Sequence, residues 1–97
     1  MRLTFHPHKD GLNLDKHGLS LAMANELEWD TLQCKADTRR EYGEPRQIGY
    51  ALAGDRLYCV VFVDRPADAP TERRVISLRK ANNREQTSYA SQISDTE

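Results

Sequence analysis

Apolar residues recur along this chain with two different periods, and the switches between them mark the elements. Leu3 and Phe5 alternate with polar neighbours and predict a short strand over residues 2–5. Pro7 stands where a first helical turn tolerates a missing N–H, and the stretch 7–17, carrying Leu12 and Leu14, closes on Lys16-His17-Gly18. Glycine is a natural helix stop, and basic residues just before it suit the negative helix end. Ser20 can cap a second helix over 21–28, in which Leu21, Ala24 and Leu27 fall three apart. Residues 30–46 are polar and nearly aperiodic, with a strand expected around Leu32–Ala36 and a turn over Asp37–Arg46. Two apolar runs, Ile48–Ala53 and Leu57–Val63, flank Gly54-Asp55 and predict an antiparallel hairpin. The second run is apolar on both faces and reads as a central strand. Residues 64–72 predict an exposed loop and Arg73–Arg79 the next strand. Asn82, with Glu85 three residues on, caps a closing helix to about Tyr89 or Ser91. The remainder, Gln92–Glu97, reads as a polar disordered tail.

Strand, two helices, three or four antiparallel strands and a helix make an α+β domain over residues 1–91, with helices covering one face of a small twisted sheet. The chain has 97 residues, 38% hydrophobic and 30% charged, which allows one domain with a small core. No apolar run nears the roughly 20 residues of a membrane span, and the N-terminus lacks the apolar stretch of a secretory signal. A cytoplasmic protein without membrane contact is expected, with Cys34 and Cys59 as thiols.

Charge narrows the choice of partner. Fourteen Lys and Arg against fifteen Asp and Glu leave a net charge of -1, and the pI is about 6.3. General nucleic-acid binders often exceed a pI of about 9, so any phosphate-binding surface here is local. Residues 73–84 hold five cations: Arg73, Arg74, Arg79, Lys80 and Arg84. Strict alternation sets Ile76 and Leu78 on one face with Arg74 at its end, and Arg73, Val75, Ser77 and Arg79 on the other. Such a face is either a solvated surface of weak ion pairs or a phosphate groove, since guanidinium forks match phosphate oxygens.

Other candidates have equally plain alternatives. His17 is either a helix-end residue stabilised by the macrodipole or a general acid or base. His6, His8 and Asp10 could begin a metal site, but no motif completes one, and no metal or other cofactor is expected. Cys59, inside an apolar strand, reads as a small buried hydrophobe. Trp29 and Tyr42 could stack on bases, although aromatics beside short helices usually pack. The turn Gly43-Glu44-Pro45-Arg46 puts an acid and a base beside the hairpin.

Lys16-His17-Gly18, Gly43-Glu44-x-Arg46, Arg74-Val-Ile-Ser77-x-Arg79-x-Ala81, Arg84-Glu85 and Tyr89 resemble, in this order and spacing, the BrnT toxins of bacterial type II toxin–antitoxin pairs. The resemblance runs from about residue 3 to residue 89, with Phe5, His6 and Lys9 where relatives commonly carry a Trp-Asp pair and a later Lys. It implies a RelE-like fold and metal-independent RNA cleavage. It also implies a BrnA-type antitoxin in a hetero-oligomeric complex, with operator DNA reached only through that antitoxin. The implied reaction is attack of a ribose 2′-OH on the adjacent phosphate, which needs a base, an acid and cations for the phosphorane. His17 is the candidate base or acid, Arg74 and Arg79 are the candidate cations, and Arg46 and Glu44 could reach in from the hairpin. Lys16, Arg73, Ser77, Lys80 and Arg84 are candidate RNA phosphate contacts. A non-catalytic RNA- or protein-binding module using the same basic strand is the alternative.

Overall fold

The computed structural model describes residues 1–95. Its elements are β1 (Arg2–Thr4), α1 (Pro7–His17), a 3₁₀ helix (Leu21–Glu26), β2 (Glu28–Ala36), β3 (Gln47–Ala53), β4 (Arg56–Arg65), β5 (Glu72–Lys80) and α2 (Asn83–Asp95). The strands form one sheet in the order β1-β5-β4-β3-β2.

The first helix starts at Pro7 and stops before Gly18 as expected, with a cap that the sequence reading did not assign. His6 Nδ1 accepts from the His8 N–H and caps α1, Pro7 takes the first turn, and Gly18 closes the helix at φ 72°. Only glycine adopts that left-handed conformation without cost. The second helix is a 3₁₀ turn rather than an α-helix. The spacing of three between Leu21, Ala24 and Leu27 matches three residues per turn, and all three are buried. Asp10 holds its start by accepting from Ser20 Oγ at 2.9 Å and the Leu21 N–H at 2.7 Å.

The sheet departs from the expected all-antiparallel arrangement, because β1 runs parallel to β5, pairing Leu3 with Arg73. Alternation tells which face a side chain takes, not which strand lies alongside. β2 also starts earlier than expected, at Glu28, with an irregular register between Glu28 and Gln33 that erases its periodicity. Trp29 anchors this stretch, edge-on to Phe62 at 5.7 Å and donating through Nε1 to Ala24 O at 3.0 Å. Opposite β2, a Cβ on Gly49 would lie 2.6 Å from Cys34 Cβ and 2.7 Å from Gln33 O, so glycine is what lets the two strands approach. β4 is central as expected, and every residue from Leu57 to Val63 is buried. It extends to Arg65, so the expected loop shrinks to residues 66–71.

Helices cover both faces rather than one. Leu21, Ala24 and Leu27 pack with Val60, Phe62, Val75 and Leu78 on the face beneath α1 and the 3₁₀ helix. On the opposite face, Tyr89 of α2 and Ala81 pack with Leu57, Tyr50 and Leu52. α2 runs to Asp95, beyond the expected end, and residues 96–97 of the expected tail lie outside the described residues. Among the described residues no helix is long and apolar enough to cross a membrane.

β1 is only three residues long, so it leaves the outer edge of β5 unpaired beyond Arg74. Buried Asn13 takes its place: Nδ2 donates to Leu78 O at 2.8 Å, and Oδ1 accepts from the Leu78 N–H at 3.0 Å. Nδ2 donates as well to Leu19 O. Asn13→Ala strands buried backbone groups and is expected to cost about 2–4 kcal/mol in urea unfolding. A loss below about 1 kcal/mol would mean that water replaces the amide.

Candidate functional site

Which cations share a surface is decided by a β-bulge. Val61 pairs with Ser77 but Phe62 pairs with Val75, so Ile76 is an extra residue in β5. Paired residues share a face, so the bulge reverses the alternation beyond it. Arg73 therefore lies with Val75 and Leu78 on the α1 face, while Arg74, Ser77 and Arg79 lie together on the α2 face. This corrects the strict alternation expected from sequence, which separates Arg74 from Arg79 and joins Arg73 to Ser77.

At one end of the α2 face, Arg79 forms a two-pronged pair with Glu85, Nη1 to Oε1 and Nη2 to Oε2, both at 2.8 Å. Glu85 also accepts from Tyr50 OH at 2.8 Å and from the Asn82 N–H at 2.9 Å, so the helix-capping residue is also the guanidinium's partner. The Arg79 hydrogen bonds pull the Glu85 carboxyl down to about 2, with smaller help from Asn82 and Tyr50. The same pair raises Arg79 further above its already high value. Burial, then the bond to Glu85, pushes the Tyr50 hydroxyl well up, so it stays protonated near neutrality. Cys59, opposite Arg79 in β4, is buried, and burial raises its thiol.

His17 lies one helical turn beyond Asn13, on the side of α1 that meets β5. It is half-buried. Burial first, then the charges of Lys16 and Arg79, lowers its pKa below 6.5. Its imidazole is thus within electrostatic reach of Arg79, which, with Lys16, disfavours the protonated form. Lys16, Lys80 and Arg84 are exposed and form no ion pair among the described residues.

A second cationic group occupies the other end of the face, four residues along β4 and so about 13 Å away. Arg74 reaches Glu72 at 3.4 Å, Arg65 holds Glu44 bidentately, and Arg46 stacks over the Tyr42 ring at 4.1 Å. Glu44 is held low by its bonds from Arg65 first, with the charges of Arg46 and Arg74 adding to it. The Nε atoms of Arg46 and Arg74 are buried without a hydrogen-bond partner. The loop between β2 and β3 is tied down at Asp37, which accepts from Arg39 and Tyr42 and whose carboxyl Arg39 holds far below its usual range.

Arg73 is committed elsewhere. Its guanidinium lies over Phe62 at 4.4 Å and Trp29 at 4.8 Å, and it donates to both oxygens of Asp64 at 2.7 and 2.9 Å. Arg73→Ala removes two stacking contacts and leaves a largely buried carboxylate unpaired. It is expected to lower stability by about 2–3 kcal/mol in chemical denaturation. A change within about 0.5 kcal/mol would make the pair an ordinary surface contact.

The structure thus leaves His17 within electrostatic reach of Arg79, puts Arg74 at the other end of the Arg79 face, and sets Arg73 on the opposite face. His6 and Asp10 serve as local caps, and among the described residues no three His, Cys, Asp or Glu side chains gather as a metal-ligand group. Sequence reading missed Tyr50 and Arg65 as parts of the surface and gave Glu85 a capping role and a place in the family pattern, not a role as partner of Arg79. The signal for Glu85 was its place six residues after Arg79, across the strand-to-helix turn.

Residues 5–85 match the family model described as the ribonuclease toxin BrnT of type II toxin–antitoxin systems. None of the curated proteins matches the chain.

Proposed function

The chain belongs to the BrnT family of ribonuclease toxins of type II toxin–antitoxin systems, and from that premise we propose that it is a metal-independent, RelE-like endoribonuclease that arrests translation and growth in the cytoplasm. The observation that carries the catalytic reading is His17, a half-buried imidazole at the end of α1 whose pKa is lowered by burial first and then by the charges of Lys16 and Arg79. A neutral imidazole is the form that accepts a proton.

In this mechanism His17 takes the proton of a ribose 2′-OH. The 2′-oxygen attacks the adjacent phosphorus, and the bond from phosphorus to the 5′-oxygen breaks. The products are a 2′,3′-cyclic phosphate and a 5′-OH, the leaving oxygen having gained a proton from solvent or from the protonated imidazole. Glu85 holds the two Nη atoms of Arg79, which leaves the Nε–H edge of the guanidinium to face the phosphorane in a fixed orientation. Ser77 lines the same face, and Lys16, Lys80 and Arg84 supply unpaired charge for the backbone. Arg74 and Arg46, about 13 Å along the strand, suit a phosphate further along the same RNA.

A type II family implies an antitoxin partner. A BrnA-type protein is the proposed one, covering the basic surface in a hetero-oligomer and carrying the DNA-binding function of the pair. The non-catalytic alternative draws on a different observation: Arg65, Arg73, Arg74 and Arg79 are all already paired with carboxylates. Expression of the chain alone is expected to arrest bacterial growth, and co-expression with the neighbouring antitoxin gene to restore it. Purified protein should cut RNA in excess EDTA and leave cyclic phosphate ends. Normal growth at high expression, with no cleavage in vitro, would favour the binding module.

A further inference from the structure

We propose that the cavity between α2 and the β2–β3 side of the sheet is a nucleotide pocket that holds one RNA nucleotide next to the scissile phosphate. The inference rests on the ribonuclease reading above and adds a substrate subsite to it. The cavity has a volume of about 520 Å³, within the range typical of small-molecule sites. Ile48 and Tyr50 form its sheet wall, and Arg84 and Ser88 of α2 form the helical wall. Lys35 and Arg39 stand at the β2 side.

Three features select a nucleotide. The charge is cationic: Lys35, Arg39 and Arg84 outweigh Asp37 and Glu85, and both carboxylates are already hydrogen-bonded to arginines. Lys35 and Arg84 form no ion pair among the described residues, in a chain whose net charge is -1. This suits a phosphate better than a neutral ligand. Ile48 and the Tyr50 ring give the sheet wall apolar surface for a base to lie against, and the Ser88 hydroxyl can meet a base edge. The position is the third feature. Glu85 and Tyr50 line the cavity and also hold Arg79 or its partner, so a nucleotide seated here leaves its neighbouring phosphate at the Arg79 end of the face.

The test is a titration of the isotopically labelled full chain, read by amide chemical shifts, with each of the four 5′-mononucleotides. Ribose 5-phosphate and a hexaglutamate peptide serve as competitors for charge alone. At least one mononucleotide is expected to shift the signals of Lys35, Tyr50, Arg84 and Ser88, and to bind at least tenfold tighter than ribose 5-phosphate. Ser88→Leu, at an exposed helical position, should weaken that binding at least tenfold and redistribute cleavage among sites of different base. Lys35→Glu approaches the same pocket from the opposite wall and should weaken it too. Equal binding of ribose 5-phosphate would remove the base-holding role. Tighter binding of hexaglutamate would turn the groove into a protein-docking surface and overturn the proposal. RNA cleavage without mononucleotide binding would defeat the pocket alone. Mononucleotide binding at these residues without cleavage would support the pocket and defeat the ribonuclease reading.

Discussion

His17→Ala is expected to lower RNA cleavage by about 100- to 10,000-fold, the usual contribution of general acid–base catalysis. The wild-type rate should rise with pH along one limb and level off, because the base works unprotonated. That limb should fall below 6.5, since burial and the charges of Lys16 and Arg79 all disfavour the imidazolium. The variant should lose the limb together with the rate. Stability has the same sign. The folded state disfavours the proton, so the contribution of His17 to stability is complete above its unfolded value and is lost as pH falls through the lowered folded one. Single-turnover cleavage from pH 4.5 to 8 measures the limb. A decrease of only a few-fold with the limb intact would reduce His17 to a helix-end residue and leave the arginines as the main catalytic groups.

Arg79→Ala should be nearly as severe, at about 100- to 1,000-fold, by analogy with the loss of one preorganised donor to a developing oxyanion. Arg79→Lys should recover little of it, because a point charge cannot reproduce a fork held on two oxygens. The variant also changes acid stability in a way that separates structure from catalysis. Glu85 sits at about 2 because of Arg79, below its ordinary 4.5. A depressed carboxylate contributes stability in full above 4.5 and loses it as pH falls toward 2. Without Arg79 that contribution shrinks, so the stability gap between wild type and variant should be present at pH 7 and narrow toward pH 2. Parallel denaturation and cleavage measurements decide the matter. A variant that cuts RNA normally would leave Arg79 as a purely structural partner of Glu85.

Features readable from the residues alone are those set by neighbours in the chain. The stop at Gly18, the cap at Ser20, the β3–β4 hairpin around Gly54-Asp55 and the Asn82–Glu85 capping box each depend on a few adjacent residues. The pattern from Lys16 to Tyr89 was also enough to place the chain in its family, because that pattern is itself a matter of sequence. Long-range pairing was not legible in this way. The parallel contact of β1 with β5, the extension of β2 to Glu28 through an irregular register, and α2 on the second face were all settled by which surfaces could be buried together. The bulge at Ile76 is the sharpest case. Alternation is a local rule, and one extra residue overturns it without leaving a mark in composition. Only the pairing of β5 against β4 determined that Arg74 and Arg79 share a surface while Arg73 turns away to stack on Trp29 and Phe62. Residue identity therefore determined which chemistry the chain carries, and cross-strand register, a property of two distant segments packed together, decided where that chemistry meets.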